Sequence, residues 1–515
     1  MRRLMGIAVA FFALIMGVAL WIYFQHAPPA LPENLPALPE KERVTLLVQY
    51  ALSHMYAENW LTRLIPPRHK IPVNGLECVS LAKVVHAYEI DPREVPLLDK
   101  FARSLQERSQ REPIYAYLGA TCARLGLERR AQKYLREITD PALHRLILLE
   151  LAAHYAAQGQ RERALTTLQQ AFSRPTAQAH LPHLAEANEY PPLERLIALG
   201  YQREIFQTLE ADWQFGYIWM RTALLASMAR AGKFREIESL LSQLHEPQRS
   251  HAHLLLALHA LEKGRLQEAL THMQQTAPQS LDRVVFVDAL EKHGHRELAK
   301  RFCEQVYEEL LRMPARSQSR DYRLACFAIR RALAGDVIRA GRALNQIKEP
   351  HFRPAARLAI ALHYLRQGDT EAVNREIKVL RGGEFDRHLK VAMFVQYLRA
   401  GNTAAARRTF GELDGVLKWN RSAGNIVALA LRLTPADRER IVRFIENWRH
   451  QSQGTPGIVL YLMFQLGFYE DAIPEVLQES PVHPHFGLIA VLGEMADEKA
   501  RKRMGLPPEL APFSY

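Results

Sequence analysis

Two related stretches decide the fold of this chain: Leu-His-Tyr-Leu-Arg-Gln-Gly at residues 362–368 and Val-Gln-Tyr-Leu-Arg-Ala-Gly at residues 395–401. The two stretches lie 33 residues apart, and each ends an apolar segment of helical periodicity at a glycine. Glycine after the last periodic residue is a helix stop, because it adopts the left-handed backbone conformation without a steric penalty. The phrase recurs along most of the chain, so the sequence predicts a helical repeat protein.

The stop glycines measure the repeat. Successive stops are separated by 33, 41, 32, 32, 30, 41, 33, 33 and 66 residues. The last interval is two periods long, and its midpoint, Thr434, predicts a stop of different chemistry. The two intervals of 41 residues indicate insertions at Ser173–Pro192 and Leu311–Tyr322. The stops, which predict about eleven helical hairpins, are Gly126, Gly159, Gly200, Gly232, Gly264, Gly294, Gly335, Gly368, Gly401 and Gly467.

Two further marks follow most of the ten stops, an alanine in seven units and a proline in six. An alanine five residues later lets the two helices of one hairpin cross closely, and a proline 14 to 16 residues later ends the second helix. The alanines are Ala131, Ala164, Ala269, Ala299, Ala340, Ala406 and Ala472. The prolines are Pro141, Pro175, Pro247, Pro278, Pro350 and Pro481.

This framework resembles the tetratricopeptide repeat (TPR). The segment Leu148–Ala164 also has the small residue and the aromatic of that family before its glycine, at Ala152 and Tyr155. The match is looser elsewhere, since Ile205 and Ile237 occupy the alanine slot in two units. The resemblance implies an all-α, right-handed superhelical solenoid whose first helices line a concave, peptide-binding face.

The N-terminal residues predict a membrane anchor. Leu4–Phe24 contains no charge and is long enough to cross a bilayer as a helix. Arg2 and Arg3 precede it and no Lys or Arg follows until Lys41, which places the N-terminus in the cytoplasm and the body outside it. We expect a single-pass protein of the inner (plasma) membrane with a periplasmic or other extracytoplasmic body.

The remaining boundaries follow from this order. We assign residues 1–27 to the cytoplasmic stub and anchor, 28–40 to a proline-rich spacer, and 41–109 to an N-terminal helical cap. Residues 110–480 form the TPR-like repeats, and residues 481–515 form a C-terminal capping helix and tail.

The charge distribution and the motif content favour neither a nucleic-acid-binding protein nor an enzyme. The 67 basic residues outnumber the 55 acidic ones, but they are scattered rather than grouped. A helical-repeat RNA reader would fit this charge, yet the predicted topology argues against a nucleic-acid partner. No nucleophile, phosphate-loop or zinc-protease motif occurs, so we expect neither an enzyme nor a cofactor. His251 and His253 are a poor chelate, because residues two apart do not face the same way on a helix. The pairs His293/His295 and His483/His485 lie on predicted turns and could hold a metal only with ligands from elsewhere, so no metal site is expected.

Four cysteines are too few for a disulfide scaffold. Cys78, Cys122, Cys303 and Cys326 read as small buried hydrophobic residues. The repeat register could bring Cys303 and Cys326 together, so a disulfide between them remains the alternative to buried free thiols.

Repeat register also selects a candidate partner-binding groove. Positions two residues before a stop are basic in six units, and positions thirteen before it are aromatic or histidine in four. These side chains would suit an acidic or extended segment of a partner protein. The alternative is that basic residues favour the last turn of any helix, where they meet its dipole. The candidates are Arg124, Trp219, Arg230, His251, Lys292, Tyr322, Arg366, His388, Arg399 and Arg432.

The sequence thus predicts a non-catalytic, membrane-anchored scaffold that binds proteins of a cell-envelope assembly. The alternative from another class is the substrate-holding part of an enzyme or machinery that acts on cell-wall or surface polysaccharide.

Overall fold

The computed structural model describes most of the chain between residues 31 and 504. It leaves out residues 1–30, 33, 65–74, 174–190, 212–216, 315–316, 382, 414–420, 450–461, 464–465, 480–483 and 505–515. The described residues form α-helices and two short 3-10 helices, Leu35–Ala37 and Pro350–Phe352, and no strand occurs among them. An all-α architecture of helical hairpins is therefore confirmed.

The helices follow one another in hairpins. The first nine are α1 (Glu40–Leu64), α2 (Gly75–Ala87), α3 (Pro96–Ser104), α4 (Arg108–Arg124), α5 (Glu128–Arg136), α6 (Pro141–Ala157), α7 (Arg161–Phe172), α8 (191–198) and α9 (Gln202–Ala211). The next are α10 (Tyr217–Arg230), α11 (Phe234–Leu240), α12 (Gln248–Glu262), α13 (Leu266–Gln274), α14 (Asp282–Lys292), α15 (Arg296–Leu311), α16 (Gln318–Ala334) and α17 (Val337–Gln346). The last are α18 (Arg353–Gln367), α19 (Thr370–Leu380), α20 (Glu384–Arg399), α21 (Thr403–Gly411), α22 (Arg421–Leu431), α23 (Pro435–Arg449), α24 (Tyr469–Glu479) and α25 (Pro484–Met504).

All ten predicted stop glycines end a first helix. Their φ angles lie between 70° and 97°, in the left-handed region. At every one of them, the next residue donates its N–H to the carbonyl five residues earlier at 2.8–3.0 Å, as Asp369 does to Tyr364. These bonds satisfy carbonyls that the helix end would leave without a donor. The stop periodicity is therefore confirmed.

The stop predicted at Thr434 lies two residues earlier. Arg432 has φ 48° and occupies the left-handed position directly after α22. Thr434 instead caps α23: its N–H donates to Asp437 Oδ2 at 2.9 Å, and its hydroxyl accepts from the Asp437 N–H at 3.3 Å. The pattern missed one further stop, Glu89, which ends the α2 segment with φ 54° and an Ile90-to-Val85 bond of 3.0 Å.

The alanine slot is the centre of each hairpin. All seven predicted alanines are at most 1% exposed, and Ile205, Ile237 and Val373 in the same slot are at most 3% exposed. Among the predicted prolines, Pro247 and Pro278 lie between a second helix and the next first helix, Pro141 is the first residue of α6, and Pro350 opens the 3-10 helix before α18. Pro175 and Pro481 lie outside the described residues. The alanines and the four described prolines are therefore placed as the pattern predicts.

First and second helices differ in burial. In α6, every residue from Arg145 to Ala153 is buried, so this first helix is enclosed on all sides. The second helix of the same hairpin, α7, buries only the stripe Ala164, Leu168 and Ala171. First helices thus form the inner layer of the hairpin stack, and second helices form its solvated outer layer.

The helices group into two compact units. One contains the described residues up to 220 together with 476–504, and the other contains the described residues of 221–475. Within the second unit, α18 contacts α16 and α20 and also α22, two hairpins further on. α22 therefore packs directly on α18, and the contact closes the space between these two first helices.

The two predicted insertions have different outcomes. Most of Ser173–Pro192 lies outside the described residues. The extra residues before Tyr322 lengthen a second helix instead of a loop, since α15 has 16 residues whereas α13 has 9.

The C-terminal helix belongs to the first unit. α25 packs against α1 and α2, with ion pairs from Lys83 to Asp497 and from Lys499 to Glu40. The Lys499 ammonium also lies 3.9 Å from the centre of the Tyr88 ring. The helix predicted as the C-terminal cap therefore covers the N-terminal helices.

The predicted anchor, Leu4–Phe24, lies outside the described residues. Among the helices that are described, none combines the length and apolar character needed to span a bilayer.

Candidate binding surface

The ten predicted groove residues separate into internal contacts and exposed side chains. Arg124 is the clearest internal contact, since it ends α4 with only 5% of its side chain exposed. Its guanidinium donates to Glu150 Oε1 at 2.5 Å, to Glu89 Oε1 at 3.3 Å and to the His86 carbonyl at 3.3 Å. Arg124 therefore joins α6 and the end of α2 to α4 and does not face a groove.

Glu150 is the centre of this cluster. Its side chain is fully buried and also accepts a hydrogen bond from Arg195. Burial alone would raise the pKa of this carboxyl, but the charges of Arg124 and Arg195 outweigh it and lower the pKa to about 2. Glu150 is thus ionised throughout the physiological range, and it neutralises cations that would otherwise be buried alone.

His86 is oriented by the same cluster. Its Nε2 lies 3.1 Å from Arg124 Nη2, and its Nδ1 lies 3.3 Å from Thr121 Oγ1. A guanidinium can only donate, so Nε2 accepts and the ring proton is on Nδ1. The Thr121 hydroxyl accepts a hydrogen bond from this Nδ1–H and donates one to the Tyr117 carbonyl at 2.7 Å. These polar groups are satisfied inside the unit.

Arg399 forms a second internal clamp. Its guanidinium donates to both carboxylate oxygens of Asp437, at 2.9 and 2.7 Å, and to the Leu431 carbonyl at 2.9 Å. The bond from Arg399 is the main cause that lowers the pKa of Asp437 well below its usual range. Arg399 therefore ties the end of α20 to the α22–α23 turn.

Three other candidates also serve packing. His251 Nδ1 lies 3.0 Å from Asp282 Oδ1 of α14, and the Tyr322 ring meets Phe352 edge to face at 6.2 Å. His388 is fully buried beside Phe385, with ring centres 6.3 Å apart. Trp219 lies on α10, but its side chain lies outside the described positions.

The remaining four candidates are exposed at the turn end of first helices in the second unit: Arg230, Lys292, Arg366 and Arg432. Lys292, Arg366 and Arg432 form no ion pair with any residue that the structure describes. We call these three side chains the turn-edge cations. By contrast, the apolar residues between the predicted contact positions, such as Leu362, Val391 and Val395, are core residues at most 1% exposed.

All four cysteines are buried free thiols, and burial raises the pKa of each to about 12. Cys303 and Cys326 are therefore not joined in this structure. In the described part of the chain, no three His, Cys, Asp or Glu side chains are grouped as metal ligands.

One shallow surface groove lies between α23 and α24. It is lined by Pro435, Val442, Arg438, Arg443 and Asp471, among others. Arg438 pairs with Asp471 at 2.6 Å, and Arg443 pairs with Glu439 at 2.6 Å. The groove is thus a solvated helix surface whose charges neutralise one another.

Comparisons with known proteins identify no family. No protein-family model matches the chain, and no curated protein matches its sequence. A similar solved structure is described as a circular tandem repeat protein with novel repeat topology and enhanced subunit contact surfaces. It is 14% identical over 97% of this chain and 93% of its own length, with a TM-score of 0.16.

Proposed function

We propose that this protein is a TPR-like scaffold, anchored in the membrane by Leu4–Phe24, whose extracytoplasmic body binds an acidic or extended segment of a partner protein in a cell-envelope assembly. The hairpin framework supports this proposal, since stop, alanine slot and proline lie where a TPR-like unit needs them. Such arrays commonly present repeated surface positions to partners. Fold alone does not fix function, so the proposal depends on the surface.

The turn-edge cations are the observation that most directly supports the binding of an acidic partner segment. The chain neutralises Arg124 and Arg399 with buried carboxylates, whereas Lys292, Arg366 and Arg432 are exposed and form no ion pair with a described residue. Separate hairpins of one unit contribute the three charges. Exposed cations that are not neutralised by neighbouring acids attract an acidic segment and raise its rate of encounter.

The proposed surface is the turn edge rather than the concave face. Contact between α18 and α22 closes the inner side of the hairpins that contribute Arg366 and Arg432. The buried apolar positions of these helices are not available to a ligand. Recognition therefore depends on charge at the helix ends, and it should weaken as salt increases.

Crosslinked capture from membranes tests the surface. The full chain should recover a defined set of partners, and the triple variant Lys292→Glu, Arg366→Glu and Arg432→Glu should recover much less of them. The matched control makes the same charge change at three exposed second-helix cations, Arg301, Arg375 and Lys378. Equal losses in both variants, or no loss in the first, would contradict the turn-edge assignment.

A reporter fused after Tyr515 tests the topology separately. We expect activity only for a reporter that functions outside the cytoplasm. Activity of a cytoplasmic reporter at this position would overturn the extracytoplasmic placement.

A further inference from the structure

A stripe of basic side chains lies on α5, in the outer layer of the first unit. Arg129, Lys133 and Arg136 are exposed and lie four and three positions apart, so they follow one face of the helix over about 10 Å. Ala131 and Leu135 form the buried side of the same helix. We call the three exposed cations the α5 face.

The acids around this helix are paired with other groups. Glu128, the first residue of α5, accepts hydrogen bonds from Arg163 at 2.8 Å and from the Tyr155 hydroxyl at 2.7 Å. On α3, Asp99 pairs with Arg103. These carboxylates are therefore not available to neutralise the α5 face.

The α5 face keeps its positive charge. Its three cations form no ion pair with any residue that the structure describes. Arg130 is a fourth exposed cation beside them, and Glu137, exposed directly after the helix, offsets one charge. Four cations and one acid leave three positive charges on this surface.

Charge is also all that this surface offers to a partner. All nine residues of α5 are described, and the four fully exposed ones are all Arg or Lys. Specific protein interfaces depend mainly on aromatic and other anchors that become buried in pockets. The surface of a bilayer with anionic lipids attracts Lys and Arg by charge alone. The composition of the face therefore favours a lipid surface over a protein.

The chain would hold the first unit close to such a surface. The predicted anchor ends at Phe24 and α1 begins at Glu40, so only the fifteen residues 25–39 separate them. Fifteen residues reach at most about 50 Å even when fully extended. A tether of this length raises the effective concentration of the unit at the membrane, so weak contacts suffice. This step rests on the membrane anchor of the proposed function.

We propose that the α5 face binds the anionic lipid surface of the bilayer that holds the anchor, through Arg129, Lys133 and Arg136. The contact is electrostatic, and it fixes which side of the first unit faces the membrane. Each Lys or Arg near such a surface strengthens binding about fivefold, so loss of all three should weaken docking by about a hundredfold.

Energy transfer in lipid nanodiscs tests the contact. The full chain carries a donor dye on Gln169→Cys, an exposed position of α7, and labelled lipid headgroups carry the acceptor. Transfer should be higher in phosphatidylcholine discs that contain phosphatidylglycerol than in discs of phosphatidylcholine alone. It should fall to the neutral level at about 1 M salt, where the Debye length is about 3 Å.

Two variants of the α5 face separate charge from geometry. The triple variant Arg129→Gln, Lys133→Gln and Arg136→Gln should show the same transfer in anionic and neutral discs. The double variant Arg129→Lys and Arg136→Lys should behave like the wild type, because attraction to lipid depends on charge and not on the shape of the guanidinium.

The matched control removes two arginines and one lysine that are exposed on second helices of the second unit: Arg301→Gln, Arg375→Gln and Lys378→Gln. It should keep the transfer of the wild type. Equal transfer of the wild type in both kinds of disc, or unchanged transfer in a triple variant that circular dichroism shows to be folded, would overturn the proposal. Unchanged transfer with loss of partner capture in that variant would assign the α5 face to an acidic protein instead.

Failure of the anchor is recognised separately. A chain without an anchor would elute apart from neutral discs in size-exclusion chromatography, whereas its dependence on lipid charge would still be measurable on anionic discs.

Discussion

Arg432 holds a backbone conformation that the other repeats reserve for glycine. Its φ of 48° lies in the left-handed region, and its exposed side chain has no ion-pair partner among the described residues. We therefore expect Arg432→Gly to stabilise the protein. The change relieves the left-handed penalty of an L-residue and removes no internal contact that the structure describes.

The magnitude follows from two opposing terms. A left-handed L-residue costs about 1–2 kcal/mol relative to glycine, whereas glycine costs about 0.5–1 kcal/mol more in lost chain freedom on folding. The free energy of unfolding should rise by roughly 0.5–1 kcal/mol, or about 1–4 °C in the thermal midpoint of a unit this size. Thermal unfolding followed by circular dichroism measures this shift.

Gly368→Ala is the reverse experiment. Gly368 has φ 76°, and a Cβ at this position would meet nothing within 4 Å, so the substitution adds backbone strain without a clash. It should lower the free energy of unfolding by about 1 kcal/mol. A loss of stability in Arg432→Gly would refute the reasoning, because it would mean that the arginine side chain stabilises the fold. A gain in stability accompanied by weaker partner capture would show that strain is retained there for binding.

Three further predictions concern buried groups. Glu150→Gln leaves Arg124 buried without its counter-charge and should lower the free energy of unfolding by about 3–5 kcal/mol in denaturant titrations at pH 7. Because the Glu150 pKa is lowered to about 2, its contribution is present above about pH 4.5 and is lost as the pH falls toward 2; the variant should lack this part of the acid dependence. Arg399→Ala removes bonds to buried Asp437 and should cost about 1.5–3 kcal/mol, whereas exposed Arg366→Ala should stay within about 0.5 kcal/mol. The four thiols should resist a disulfide reagent at pH 8 and react after unfolding, since burial raises their pKa to about 12; a fast-reacting thiol in the folded protein would contradict this.

The period of the helical repeat could be predicted from the sequence, because the features that set it are local. A glycine stop depends on one residue's φ angle, and the alanine slot depends on the distance between two helices joined by a turn of two or three residues. Both leave a mark at a fixed spacing in the sequence. The helix stops at Glu89 and Arg432 could not be predicted from glycine spacing, because neither residue is a glycine. Non-glycine residues in the left-handed region are uncommon, and residue type does not reveal them.

Side-chain pairing could not be predicted in the same way. Arg124 meets Glu150 across two helices, and His253 meets His272 across a hairpin. Such contacts depend on the rotation of each helix and on the register between neighbours. Residue type and spacing constrain these quantities only weakly. The sequence therefore located a row of helix-end cations without showing which of them the protein neutralises.

Arg366 and Arg399 show what decides whether a helix-end arginine is neutralised inside the fold or stays exposed to solvent. Both lie two residues before a stop glycine, and both precede a turn of the same geometry. For Arg399, the residue 38 positions later is Asp437, which already caps the next second helix and accepts both arginine bonds. For Arg366, the same offset falls on Ala404, which offers no acceptor side chain. The helix dipole favours a cation at both positions. Only Arg399 also finds a carboxylate on the following hairpin, and the bonds to Asp437 hold its side chain against that hairpin. An arginine without that acid, such as Arg366, keeps its guanidinium exposed to solvent.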